Sequence, residues 1–117
     1  MIRVAVIDDD PVFGNGAAER FNSFEGFQGV YFTPEEIESM IGEFQVVMVD
    51  HRLGRGVFGP DVIKGLKPGM PNTVFFGWTN DEITSRLKQM FTNSGAVDLL
   101  DKMISGQDLE KLLLRYF

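Results

Sequence analysis

The chain's 117 residues are 44% apolar and include 11 phenylalanines, enough for one folded core over 1–117 and too many for a disordered segment. No cysteine and a single histidine, His51, exclude disulfide frameworks, thiolate metal sites and His-rich zinc sites. A net charge of −6 opposes a phosphate-backbone partner, no run nears the ~18 apolar residues of a membrane span, and residues 1–7 meet three aspartates with no secretory cleavage region. A single cytoplasmic domain without nucleic-acid or membrane contact is expected.

Residues 2–7, Ile-Arg-Val-Ala-Val-Ile, form a short β-branched run and read as a buried strand. Residues 11–22 read as a helix, with Asp10 as N-cap and Pro11 in the first turn; Gly14 and Gly16 weaken it by about 1 kcal/mol each. Residues 27–32 are a second strand. Thr33-Pro34-Glu35-Glu36 opens a second helix, supplying the cap, the first helical residue and the capping-box glutamate. Its apolar face is Ile37, Met40, Ile41 and Phe44. Residues 46–49 contain no polar group, as in a strand covered on both faces, and end at Asp50. A glycine-bearing loop leads to a short helix at about 60–66, and residues 73–78 are the fourth strand. A helix over about 81–93 carries Ile83, Leu87, Met90 and Phe91. Residues 96–100 are the fifth strand, and the last helix carries Leu109, Leu112, Leu113 and Tyr116.

Five alternating strand–helix units imply a three-layer αβα fold, a five-stranded parallel sheet between helices. Right-handed crossovers leave few topologies, and the flavodoxin-like strand order 2-1-3-4-5 puts its switch point between strands 1 and 3. Asp8-Asp9-Asp10 and Asp50 follow those two strands. Two unit charges ~4 Å apart repel by about 4 kcal/mol at an effective dielectric near 20, so four converging carboxylates need raised pKa values or a cation. All-oxygen donors favour a hard ion, Mg²⁺ before Zn²⁺, with positions left for water and phosphate oxygens. Thr79 follows strand 4 and Lys102 follows strand 5, where a hydroxyl and an ammonium can meet phosphoryl oxygens. This is a phosphoryl-transfer constellation, with the Asp50 carboxylate as nucleophile and an acyl phosphate as product.

Four segments together resemble the receiver domain of bacterial two-component response regulators. Ile7-Asp8-Asp9-Asp10-Pro11 is similar to its acidic pocket, and Val49-Asp50-His51-Arg52-Leu53-Gly54 to its phosphoacceptor segment. Trp78-Thr79 is similar to its strand-4 Thr/Ser, and the segment 95–102 to the one ending in its lysine. The resemblance spans essentially the whole chain. It implies that Asp9 ligates Mg²⁺ directly and Asp8 through water, with the Asp50 side chain and the Arg52 backbone carbonyl completing the protein ligands. It implies that Thr79 hydrogen-bonds the phosphoryl group, that Lys102 pairs with it, and that the donor is a phosphohistidine on a sensor histidine kinase or histidine phosphotransfer protein. The chain would then catalyse only its own phosphorylation and dephosphorylation. Output would run through the fourth helix, fifth strand and fifth helix, to a downstream protein target or a self-dimer. The chain departs from the family pattern at Asn80, usually a small residue, at Leu99, usually an aromatic, and at Met103, usually proline.

Other readings compete. Asp8-x-Asp10-x-Val12 resembles the first motif of haloacid-dehalogenase-type phosphohydrolases, with Asp8 as nucleophile, Asp10 as general acid and Thr79 downstream. Leu99 and Met103 suit a receiver-shaped interaction module that never takes a phosphoryl group. Gly54-x-Gly56-x-x-Gly59 matches a dinucleotide fingerprint formally, yet Pro60 starts the helix too late for it, so a flexible loop is expected. His51 is expected to be a solvated loop side chain.

Overall fold

The structure, a computed structural model, describes residues 1–40 and 43–117. Its strands are β1 (Ile2–Ile7), β2 (Phe27–Phe32), β3 (Val46–Asp50), β4 (Val74–Thr79) and β5 (Asp98–Asp101). Its α-helices are α1 (Pro11–Asn22), α2 (Gly59–Leu66), α3 (Ser85–Ser94) and α4 (Gly106–Leu114). Neighbouring strands pair in parallel in the order β2-β1-β3-β4-β5.

Alternation along each strand builds two cores. Ala5, Ile7, Val47, Val49 and Phe75 face Ile63 of α2 and Leu87 and Phe91 of α3. Val4, Val6, Met48, Phe76 and Trp78 face Phe21 of α1 and Leu109 and Leu113 of α4. Both sheet faces are covered, which is why residues 46–49 carry no polar side chain. Each large side chain so buried contributes roughly 1.5–3 kcal/mol.

Four expectations about elements need correction. The second helix is a 3₁₀ helix, Pro34–Met40, rather than an α-helix. Ile37 and Met40 are three apart, a spacing that a 3₁₀ helix aligns just as well. Ile41, placed on that face from the sequence, lies outside the described residues. The capping glutamate is as expected: Glu36 Oε1 accepts from the Thr33 N–H at 2.9 Å. The helix expected from about 81 begins at Ser85, because Thr84 is its N-cap, with Oγ1 accepting from the Leu87 N–H at 3.1 Å. Asp81 is bound elsewhere, and Ile83 precedes the helix. β5 starts two residues later than expected, at Asp98, and Tyr116 lies beyond the end of α4.

The glycine motif makes a hairpin. Gly54, Arg55 and Gly56 are all left-handed, with φ of 80°, 54° and 75°. Leu53 and Val57 close the turn, the Leu53 N–H donating to the Val57 oxygen at 3.0 Å, and Arg52 pairs antiparallel with Phe58. At Gly59 a Cβ would run into the carbonyl oxygen of Asp50. The third glycine therefore lets α2 begin against the end of β3.

Candidate functional site

The parallel register aligns Ile7 with Val49 and Asp50 with Trp78, so the segments after β1, β3 and β4 leave the sheet at one edge. Asp8 is fully buried. Its Oδ1 accepts from the Asp10 N–H at 2.9 Å and its Oδ2 from the Lys102 ammonium at 2.8 Å. Asp50 is buried as well, and its Oδ1 lies 3.0 Å from Lys102 Nζ. Asp9 is exposed at the mouth. One carboxylate oxygen from each of Asp8, Asp9 and Asp50 lies within 4.8 Å of the others.

The cluster thus holds three carboxylates, not the four expected. Asp10 is outside it, because its Oδ1 caps α1, accepting from the N–H groups of Val12 (3.0 Å) and Phe13 (3.3 Å). Burial and then the charge of Asp8 push the Asp50 carboxyl up to about 7, against the pull of Lys102. Burial pulls Lys102 down, but its bonds to Asp8 and Asp50 outweigh this and hold the ammonium above the ordinary lysine value. Three carboxyl groups facing one ammonium crowd acidic oxygens into a small space. The donors are all oxygen, and one of them opens to solvent. That set fits a hard divalent cation.

Thr79 is buried at the end of β4, and its Oγ1 accepts from the Asp81 N–H at 2.9 Å. The hydroxyl hydrogen is therefore free to donate. Lys102 follows β5, its N–H donating to the Thr79 oxygen at 2.9 Å. Asp8, Asp9, Asp50, Thr79 and Lys102 lie at this edge, and Asp10 caps α1 instead. The Arg52 side chain reaches Asp81, its Nε donating to Oδ2 at 3.1 Å.

His51 is not solvated. It is 8% exposed, its ring lies 6.0 Å from both Phe58 and Phe91, and its Nδ1 donates to Asp81 Oδ2 at 3.0 Å. The hairpin folds back so that the Gly59 N–H donates to the His51 oxygen, and the ring lies near Phe58, just before α2, and Phe91 of α3. His51, then Arg52, hold the Asp81 carboxyl below the usual carboxylate range. Asp81, expected within a helix, is instead a tie between two loops. Two further residues gave no local signal. Tyr31 Oη donates to the Asp8 carbonyl at 2.8 Å, and Gly14 leaves room for that ring. The Phe13 ring lies against Lys102, its centroid 4.4 Å from Nζ.

No protein-family model matches the sequence, and no curated protein matches it. Solved structures do match. The Vibrio cholerae chemotaxis protein CheY4 superposes with a TM-score of 0.85 at 20% identity, covering 100% of this chain and 99% of that one. The BeF3-activated DrrB receiver domain superposes with a TM-score of 0.83 at 22% identity, covering 99% and 97%. A Burkholderia pseudomallei response regulator, solved with a phosphorylated aspartic acid, calcium ion and citrate, gives 0.79 at 22% identity, covering 94% and 65%. The chain has the fold of response-regulator receiver domains, the CheY-like form of the flavodoxin-like architecture.

Proposed function

We propose that this chain is a phosphoacceptor receiver domain whose Asp50 takes a phosphoryl group from a phosphohistidine donor in a Mg²⁺-dependent reaction. The observation that carries the reading is the single Lys102 ammonium bonded to both Asp8 and Asp50 beside the three-carboxylate cluster. Asp9 and Asp50, with the Arg52 carbonyl, would hold the cation directly, and Asp8 would do so through water. The bound cation would supply charge neutralisation between carboxylate and phosphoryl oxygens.

Asp50 is the nucleophile: its carboxylate oxygen bonds to phosphorus as the phosphorus–nitrogen bond of the donor breaks. The imidazole leaves with that electron pair and takes a proton. Lys102 pairs with the transferred phosphoryl oxygens, and the Thr79 hydroxyl donates to them. Hydrolysis of the acyl phosphate ends the signal. The chain then acts as a switch, not as an enzyme on an external substrate. A sensor histidine kinase or phosphotransfer protein is the donor partner, and α3, β5 and α4 form the output face. A cytoplasmic setting follows from that donor; among the described residues no helix is long and apolar enough to cross a membrane.

The geometry weighs against the haloacid-dehalogenase reading. Both oxygens of Asp8 are engaged, and Asp10 is a helix cap away from the cluster. Incubation with acetyl phosphate and Mg²⁺, borohydride reduction and mass spectrometry locate the label. The expected site is Asp50. A label on Asp8 would establish the hydrolase instead, and no label would leave the unphosphorylated interaction module.

A further inference from the structure

The Lys102 ammonium meets three things: Asp8 Oδ2 at 2.8 Å, Asp50 Oδ1 at 3.0 Å and the face of the Phe13 ring, 4.4 Å from Nζ to the centroid. The two carboxylates are an unsteady hold. One of them is the proposed acceptor, whose charge changes when it is esterified. Both belong to the cluster that, on the proposed reading, would hold a competing divalent cation. The aromatic face attracts an ammonium through its quadrupole, whatever the state of the carboxylates. A lysine stem has four rotatable carbons, so a hold of this kind limits where the charge can go.

Phe13 is itself fixed. The Asp10 carboxylate accepts from its N–H at 3.3 Å, which sets its place in the first turn of α1. Its ring packs edge-on against the fully buried Trp78, with centroids 5.1 Å apart and planes at 69°. The third aspartate of the run thus contributes to the site indirectly, by placing Phe13.

We infer that Phe13 is a positioning residue that keeps the Lys102 ammonium in the pocket between Asp8 and Asp50, ready for the phosphoryl group. The inference rests on the receiver reading for its consequence in phosphoryl transfer, but the contact is measurable without it. In the full chain, Phe13→Leu keeps an apolar side chain of similar size and removes the π face, whereas Phe13→Tyr keeps the face. Solution NMR reads the Lys102 side chain directly. In wild type and Phe13→Tyr the ring shifts the Lys102 ε-methylene protons upfield and the ammonium protons exchange slowly. In Phe13→Leu the ammonium protons exchange fast.

Beryllofluoride affinity and acetyl-phosphate labelling should fall by about 2- to 30-fold in Phe13→Leu and recover in Phe13→Tyr, the range expected for one ammonium–ring contact. Slow ammonium exchange persisting in Phe13→Leu overturns the inference. So does an equal loss of affinity in the Leu and Tyr variants, which is the signature of packing alone. If wild type neither labels nor binds beryllofluoride, the phosphoacceptor reading fails, and the exchange rates alone decide whether Phe13 holds Lys102.

Discussion

Asp50→Asn should make the protein more stable at neutral pH while abolishing its ability to be labelled. In the folded chain the Asp50 carboxyl is pushed from its ordinary 3.8 up to about 7. The folded state therefore binds this proton more tightly than the unfolded chain does. Stability falls as pH rises from about 4 to about 7, then levels off. Three pKa units amount to about 4 kcal/mol at most, and water at the pocket mouth reduces this to roughly 1–3 kcal/mol. Asparagine keeps the shape and still offers Lys102 an oxygen, but it cannot ionise. Urea unfolding of both proteins at pH 4, 6 and 8, in EDTA, should give nearly equal stabilities at pH 4. By pH 8 a gap of roughly 1–3 kcal/mol should favour the variant. Millimolar Mg²⁺ should narrow the gap, because the wild type gains more from a cation. A variant less stable than wild type at pH 8 without metal, or a gap independent of pH, would refute the crowded-charge account.

Lys102→Met should cost about 3 kcal/mol at pH 8, measured by urea unfolding, since it leaves two buried carboxylates facing each other; the loss should shrink in acid as Asp50 protonates. Gly59→Ala should cost about 1–3 kcal/mol by thermal unfolding, because the new methyl meets the Asp50 carbonyl oxygen, a backbone atom that cannot swing away. Asp81→Ala should release His51 and Arg52 together and change the lifetime of the phosphorylated form, followed by loss of label after donor removal, with little effect on Tm. Trp78 emission should respond to Mg²⁺ through the Phe13 contact, and a fluorescence titration reads this directly.

The sheet was legible because its code is simple. Short β-branched runs alternate with helical spacings, and each ends in a polar residue, so a parallel sheet and its carboxylate edge follow from alternation and handedness, with the order 2-1-3-4-5 one of the few topologies they leave. What failed were local choices that tertiary contacts decide. Ile37 and Met40 fit α and 3₁₀ spacing equally, so the first turn could not say which would form. Asp81 looked like a helix start and became the partner of His51 and Arg52, residues about thirty positions away. Asp10 illustrates the same limit from the other side. Its place in the sequence suits both a cap and the cluster, and only the fold shows that capping α1 takes it out.

The site's two roles have one electrostatic origin. A pocket that raises Asp50 to about 7 keeps an unstable arrangement in the resting chain. The Lys102 ammonium is what makes that arrangement tolerable, and it is shared between Asp50 and Asp8. Changing the charge on Asp50 therefore redistributes a cation that is already under tension. The ring of Phe13 and the hydroxyl of Thr79 are positioned to receive the change. With Leu99 in β5 there is no aromatic at that position to rotate. The response can instead travel from Lys102 through Phe13 to Trp78, and from Thr79 through Asp81 to the His51 ring packed on Phe91 of α3. One route begins at Lys102, which touches Asp50, and the other at Thr79, the last residue of the strand beside β3, so on the proposed reading a phosphoryl group on Asp50 would bias each of them at its first residue.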